Sequence, residues 1–152
     1  MSQTYRVFTD GSAIGNPGPG GWGAVVMSGQ TRREMSGDNP WTTISEMELV
    51  AAVQALRSLP GRARIELHSD SEYLIYGMRA FVFNWRRQGW RNRRGVALKH
   101  RELWVALLEL SAQSHVRWIW VKGHNGHSDQ TRADALAYQA ARALWVRQKA
   151  AA

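Results

Sequence analysis

Apolar and polar residues alternate over 5–10, and the runs GGWGAVVMSG (20–29) and QTRREMSG (30–37) read as two further strands joined by a tight turn. This predicts an antiparallel meander. The period then changes. Leu49, Ala52, Val53 and Leu56 recur at i, i+3, i+4 and i+7, predicting a helix over 45–58 that Pro60-Gly61 stops. ARIELHSD (63–70) returns to alternation as a fourth strand. Helical segments are predicted over 71–80, 82–88 and 100–112, HVRWIWVKG (115–123) is a fifth strand, and an Ala-rich helix over 129–146 closes the chain. Helices separate strands 1, 4 and 5, which favours right-handed parallel crossovers. The expected fold is α/β, a mixed five-stranded sheet with helices packed on it: three antiparallel strands, then two added in parallel.

At 152 residues, folding removes roughly two thirds of the chain's surface from water, enough for one domain over 1–152 with a real core. The 44% share of hydrophobic residues, eight of them tryptophan, fits a packed globule rather than a disordered chain. The absence of cysteine excludes disulfides and thiolate-bound metal. MSQTYRVF has no apolar signal core and nowhere do 18 apolar residues run together, so a cytoplasmic protein without a membrane span is expected.

Charge changes the picture more. The net charge is +8, and eight Lys and Arg (Arg79, Arg86, Arg87, Arg91, Arg93, Arg94, Lys99, Arg101) lie between 79 and 101 without one acid. The other 12 of the 20 bases balance the 12 acids. The whole excess therefore sits in one segment, where Phe81, Phe83, Trp85 and Trp90 interleave with the arginines. Such a segment suits a polyanion, with the bases facing phosphates and the rings giving apolar or stacking contacts.

Two predicted strands end alike, V-F-T-D-G at 7–11 and E-L-H-S-D-S at 66–71. Ligand sites in open α/β sheets lie beyond the carboxyl ends of strands, especially where strand order reverses. If strands 1 and 4 pair, Asp10 and Asp70 stand about 5 Å apart, where two ionised carboxylates repel unless a cation separates them. Hard oxygen donors without His or Cys select Mg²⁺ or Mn²⁺. Taken singly, each acid also has a structural role open to it. An Asp at a strand end caps a turn, and Ser45-x-x-Glu48 matches a capping box, as Thr43-x-x-Glu46 does. Asp134 sits near a helix start, where the dipole favours any acid. Glu48 also borders the apolar stripe of its helix, which aims it at the sheet.

His124, in V-K-G-H-N-G-H past strand 5, suits a proton shuttle near neutral pH, whereas His127 reads as a surface or capping residue. The glycine-rich stretch after Asp10 lacks the Gly-Lys-Ser/Thr of a phosphate loop and reads as a hairpin loop. Its permissive backbone lets a polymer approach, with Asn16 available to touch it.

Together these phrases resemble bacterial ribonuclease H type 1 over essentially the whole chain. They are T-D-G-S-A-I-G-N-P-G-P-G-G-W-G at 9–23, M-E-L-x-A-A at 47–52, S-D-S at 69–71, N-W-R-R-Q-G-W at 84–90, V-K-G-H-N-G-H at 121–127 and R-A-D-A-L-A at 132–137. The resemblance implies hydrolysis of the RNA strand of an RNA/DNA hybrid to 5′-phosphate and 3′-hydroxyl ends. It implies a metal site of Asp10, Glu48, Asp70 and Asp134 for two Mg²⁺ (or Mn²⁺) ions when substrate is bound. Asp10 would be shared, Asp134 would serve the ion that activates water, and Glu48 and Asp70 the ion at the leaving oxygen, with ions about 3.5–4 Å apart. His124 is implied to assist catalysis or product release. Substrate contacts are expected at Asn16, Thr43, Ser45, Glu72, Trp85, Arg86, Arg87, Trp90, Arg91, Lys99 and His100.

The pattern departs at several contacts. Ile44, Ser45 and Glu46 stand where the family usually has two asparagines, Glu72 where it often has Gln, His100 where Asn usually helps bind a phosphate, and Phe81 where Trp is common. Ile44 cannot hydrogen-bond through its side chain, and ionised Glu72 accepts without donating. A two-metal nuclease with relaxed duplex choice is therefore the alternative. A non-catalytic hybrid-binding module is disfavoured, because four clustered acids repel phosphate when no metal is present. A monomer without an obligate protein partner is expected.

Overall fold

A computed structural model describes residues 3–123 and 127–152. Its elements are β1 Thr4–Ala13, β2 Gly18–Ser28, β3 Thr31–Thr42, α1 Ile44–Arg57, β4 Arg64–Ser69, α2 Glu72–Tyr76, α3 Val82–Arg87, α4 Arg101–Ala112, β5 His115–Trp120 and α5 Ser128–Ala151. The sheet order is β3-β2-β1-β4-β5. β1 pairs antiparallel with β2 and parallel with β4, and β4 pairs parallel with β5. β1 is therefore the central strand, and the chain switches sides of it between β3 and β4. That is where a doubly wound sheet opens a crevice.

Alternation along the strands divides the core between two faces. Val7, Ala24, Val26, Ile65 and Leu67 bury against Leu49, Ala52, Val53 and Leu56 of α1 and Trp104 of α4. Phe8 and Val25 point the other way and bury against Ala133 of α5. One residue of slip in β1 would exchange these two sets, so the register is fixed by both helical layers.

Several boundaries differ from the sequence expectations. β1 runs three residues past Asp10, β2 starts at Gly18, and β3 continues to Thr42. Most of the glycine-rich stretch is thus strand, and only residues 14–17 connect. The physical reason is helix approach. A Cβ on Gly21 would stand 2.4 Å from the Ala137 carbonyl oxygen, and one on Gly23 2.5 Å from that of Ala133. α5 rests directly on the β2 backbone. The helix expected over 71–80 breaks after Tyr76 into a π-helical turn over 77–81, where Gly77 meets the Trp104 ring. β5 ends at Trp120, opposite Ser69, where β4, its neighbour in the sheet among the described residues, also ends. α5 continues to Ala151, five residues beyond the expected end.

Candidate active site

The parallel pairing of β1 with β4 stops at Thr9 opposite Ser69. Asp10 and Asp70 are the next residue on each strand and emerge at the same level. Glu48 joins them from α1. Gly11 permits this, because a Cβ there would lie 2.4 Å from the Glu48 backbone nitrogen, so the first turns of α1 press against β1. Carboxylate oxygens of Asp10, Glu48 and Asp70 all lie within 4.8 Å of one another. Asp134 comes from the opposite face, one residue after the Ala133 that packs on Gly23, and its side chain is in hydrogen-bonding contact with Asp10.

The overlapping capping boxes are resolved in a way that releases Glu48. Thr43 is the N-cap of α1, its hydroxyl accepting from the Glu46 amide at 3.2 Å. Glu46 accepts from the Thr42 hydroxyl. Glu48 is free of capping and takes a hydrogen bond from Ser71. Ser71 also caps α2, accepting from the Leu74 amide at 3.1 Å. Sequence reasoning missed Ser71 as a neighbour of the acids, although its N-cap signal before Glu72 was present. It also missed Gln130, whose buried amide donates to the Thr9 carbonyl at 2.9 Å and ties α5 to β1 just before Asp10.

Burial dominates the electrostatics of the site, and the crowding of like charges adds to it. Asp10 is 5% exposed. Burial, then Asp70 and the contact with Asp134, push its carboxyl up to about 9 against the Gly11 amide, which favours the ionised form. Burial also raises Glu48 to about 7, with Ser71 opposing and Asp70 adding to the rise. Such a cluster is held ionised most readily by divalent cations, and an all-oxygen donor set matches Mg²⁺ or Mn²⁺.

His124 lies outside the described residues. Gly123 approaches the acids: a Cβ there would stand 3.0 Å from Asp70 Oδ2. Asn16 Oδ1 accepts from the Ile44 amide at 3.0 Å, fastening the β1–β2 connection to the start of α1. Ser45 is half-buried in the first turn of α1, and Glu72 is exposed in the first turn of α2. His100 is drawn inward. Its side chain is 8% exposed, Nδ1 is 3.8 Å from Glu46 Oε2, and its ring meets Tyr73 edge-on, so two departures from the family pattern touch each other. Burial lowers the His100 pKa, with Glu46 opposing.

In the basic segment Trp85 and Trp90 are half-buried and pack on the core, Trp85 at 5.0 Å from the Trp104 ring. Arg86, Arg87, Arg91 and Lys99 remain exposed. Among the described residues, none of the eight bases from Arg79 to Arg101 pairs with an acid. Their charge is left for an external anion.

A carboxylate cluster that could hold a metal at the switch point of a mixed sheet, in a chain that also exposes a basic, ring-bearing segment, matches the class of metal-dependent nucleases of the ribonuclease H fold. The RNase H family model matches residues 2–142. The ribonuclease H of Mesorhizobium japonicum is 44% identical over 137 residues, covering 90% of this chain and 77% of that protein. The ribonuclease H of Rhizobium meliloti is 47% identical over 132 residues, covering 87% and 86%. The crystal structure of LC9-RNase H1, a type 1 RNase H with the type 2 active-site motif, superposes with a TM-score of 0.86 at 30% identity, covering 95% of this chain and 74% of that one. The chain belongs to the RNase H family. It is accordingly an enzyme, a nucleic-acid-binding hydrolase, and family and fold together support ribonuclease activity on RNA/DNA hybrids. No helix among the described residues is long and apolar enough to cross a membrane.

Proposed function

We propose that the chain is a single-domain, monomeric, cytoplasmic endoribonuclease that hydrolyses the RNA strand of RNA/DNA hybrids, leaving 5′-phosphate and 3′-hydroxyl ends. The observation that carries the reading is the convergence of Asp10, Glu48 and Asp70 within 4.8 Å, with Asp134 against Asp10. Asp10 would ligate two ions, Asp134 would complete one site, and Glu48 and Asp70 the other. Mg²⁺ or Mn²⁺ held there lowers the pKa of the attacking water and offsets charge at the phosphate. The chain's own tasks are to gather these four carboxylates, to hold their oxygens at the end of β1, and to bring the scissile phosphate to them. In the reaction, a water oxygen bonds to phosphorus, the bond from phosphorus to the 3′-oxygen breaks, and that oxygen leaves with a proton. His124 is assigned to proton movement or product release.

The exposed bases of 79–101 hold the duplex through its phosphates, and the ribose 2′-hydroxyl distinguishes RNA from DNA. The test is Mg²⁺-dependent digestion of a labelled hybrid beside single strands, duplex RNA and duplex DNA. Cleavage of the RNA strand of the hybrid alone is expected, and no cleavage of the hybrid overturns the reading. A relaxed duplex choice is the second reading, favoured by the exposed Ile44 side chain and by Glu46 turned onto Thr42 and His100. Equal cutting of hybrid and both duplexes would establish it instead.

A further inference from the structure

Trp41 is 69% exposed, the largest exposure among the large hydrophobic side chains of the described residues. Leaving an indole in water forgoes a few kcal/mol of burial, so its position calls for a partner. The backbone is built to put it there. β2 and β3 pair regularly up to Gly20 opposite Asn39 and resume at Gly18 opposite Thr42, so Pro40 and Trp41 together oppose the single residue Pro19. This is a β-bulge, a device that re-aims a side chain beside active sites. The Asn39 carboxamide fixes it by accepting from the Trp41 amide at 3.0 Å.

The indole forms one wall of a groove of about 430 Å³ whose other walls include Ile14, Pro17, Trp145 and Lys149. Among the described residues, no Asp or Glu lines this groove, and Ala152, the last residue of the sequence, stands at its wall. The Lys149 ammonium lies 5.5 Å from the centre of the Trp145 ring. The groove shares the β1–β2 connection with Asn16, which fastens the start of α1. It also lies at the same end of the sheet as the acids. Asp10 registers with Gly23 and Gly23 with Ser36, and Trp41 lies at the level of Pro19, so it is four residues further along and two strands across. At about 3.3 Å per residue and 4.8 Å per strand this is roughly 16 Å from Asp10. It corresponds to about five base pairs along a duplex axis. The basic arm packs through Trp85 and Trp90 on the core layer that holds α1.

We propose that Trp41 and this groove bind the hybrid itself, receiving the sugar-phosphate backbone of one strand about five base pairs from the acids. Trp41 supplies an apolar contact to ribose, and Lys149 a phosphate contact. The inference rests on the ribonuclease reading of the acidic site. An indole presents a flat apolar face to a ribose, and the neighbouring ammonium an opposite charge to its phosphate.

Binding of labelled hybrids is measured by fluorescence anisotropy in an Asp10→Asn background. One hybrid extends about ten base pairs to each side of the target phosphate and another about three. Trp41→Ala is expected to weaken binding of the long hybrid about 5- to 20-fold and leave the short one within twofold, and Trp41→Phe to recover most of the loss. In the cleavage-competent chain, KM for the long hybrid should rise with kcat unchanged. Equal affinity of parent and Trp41→Ala for the long hybrid overturns the proposal, as does an equal loss on both hybrids. A chain with Trp41 intact that binds neither hybrid overturns the ribonuclease reading as well.

Discussion

Asp10→Asn, studied without divalent metal, separates what the acidic cluster costs the fold from what it contributes to catalysis. The Asp10 carboxyl is pushed up to about 9 from an ordinary 3.8, chiefly by burial and then by Asp70. Between these values the folded chain binds more protons than the unfolded one. Stability therefore falls as pH rises across that window, and the penalty is absent below the unfolded value. At pH 7 the gap from 3.8 is about 3 units, and at 1.36 kcal/mol per unit the ceiling is about 4 kcal/mol. Part of the rise comes from neighbouring carboxylates rather than from burial alone, so about half of this ceiling, roughly 2 kcal/mol, is taken for Asp10.

Asn keeps the shape, and its carbonyl oxygen can still accept from the Gly11 amide, which now meets Asp10 Oδ1 at 2.9 Å. In chelator at pH 7 the variant should melt about 4–8 °C above the parent, since 1 kcal/mol moves Tm by about 2–4 °C at this size. At pH 4.5 the difference should shrink to about 2 °C or less. Added Mg²⁺ should stabilise the parent more than the variant, because binding to the native state adds to its stability. Thermal unfolding followed by circular dichroism reads all three. Cleavage of hybrid in Mg²⁺ should be abolished. A variant no more stable than the parent at pH 7 in chelator would refute the electrostatic account, whatever its activity.

The remaining predictions concern how the acids are brought together and how substrate is held. Gly11→Ala should displace the first turns of α1, costing about 1–3 kcal/mol and weakening Mg²⁺ binding in titration calorimetry, because the new Cβ would meet the Glu48 nitrogen at 2.4 Å. Unchanged Mg²⁺ affinity would show that Glu48 does not depend on that approach. Gly23→Ala should lift α5 and Asp134 off the sheet, lowering both Tm and hybrid cleavage, since its Cβ would lie 2.5 Å from the Ala133 oxygen. A normal cleavage rate in a destabilised variant would detach Asp134 from the chemistry. Replacing Arg86, Arg87 and Arg91 by Ala should weaken hybrid binding and flatten its log–log salt slope by about one for each phosphate no longer neutralised. An unchanged slope moves the grip elsewhere.

What the sequence made legible follows from how local each signal is. The alternation of Val7 and Phe8 and the stripe of α1 announce which sides of each element are buried, because burial acts through periods of 2 and 3.6. The twin strand ends gave Asp10 and Asp70 as neighbours for the same reason: parallel register carries one Asp to the level of the other. Glu48 was ambiguous because two capping boxes overlap, and only the hydrogen bond from the Glu46 amide to the Thr43 hydroxyl shows that Thr43 takes the cap. The glycines were the larger misreading. A loop and a landing pad for a helix use the same residue, and the difference lies in a partner, Ala133 or Ala137, more than 100 positions away. Trp41 gave no signal for the same reason. Pro40 argues against strand, yet β3 is an edge strand and tolerates Pro at a bulge, which turns the next side chain outward. The acids are thus written in short phrases, whereas the surfaces that set their spacing, and the groove that extends their reach, come from contacts between segments distant in the chain. A site transplanted as its four acids alone would lack Gly11 and Gly23, the seats that bring Glu48 and Asp134 to Asp10.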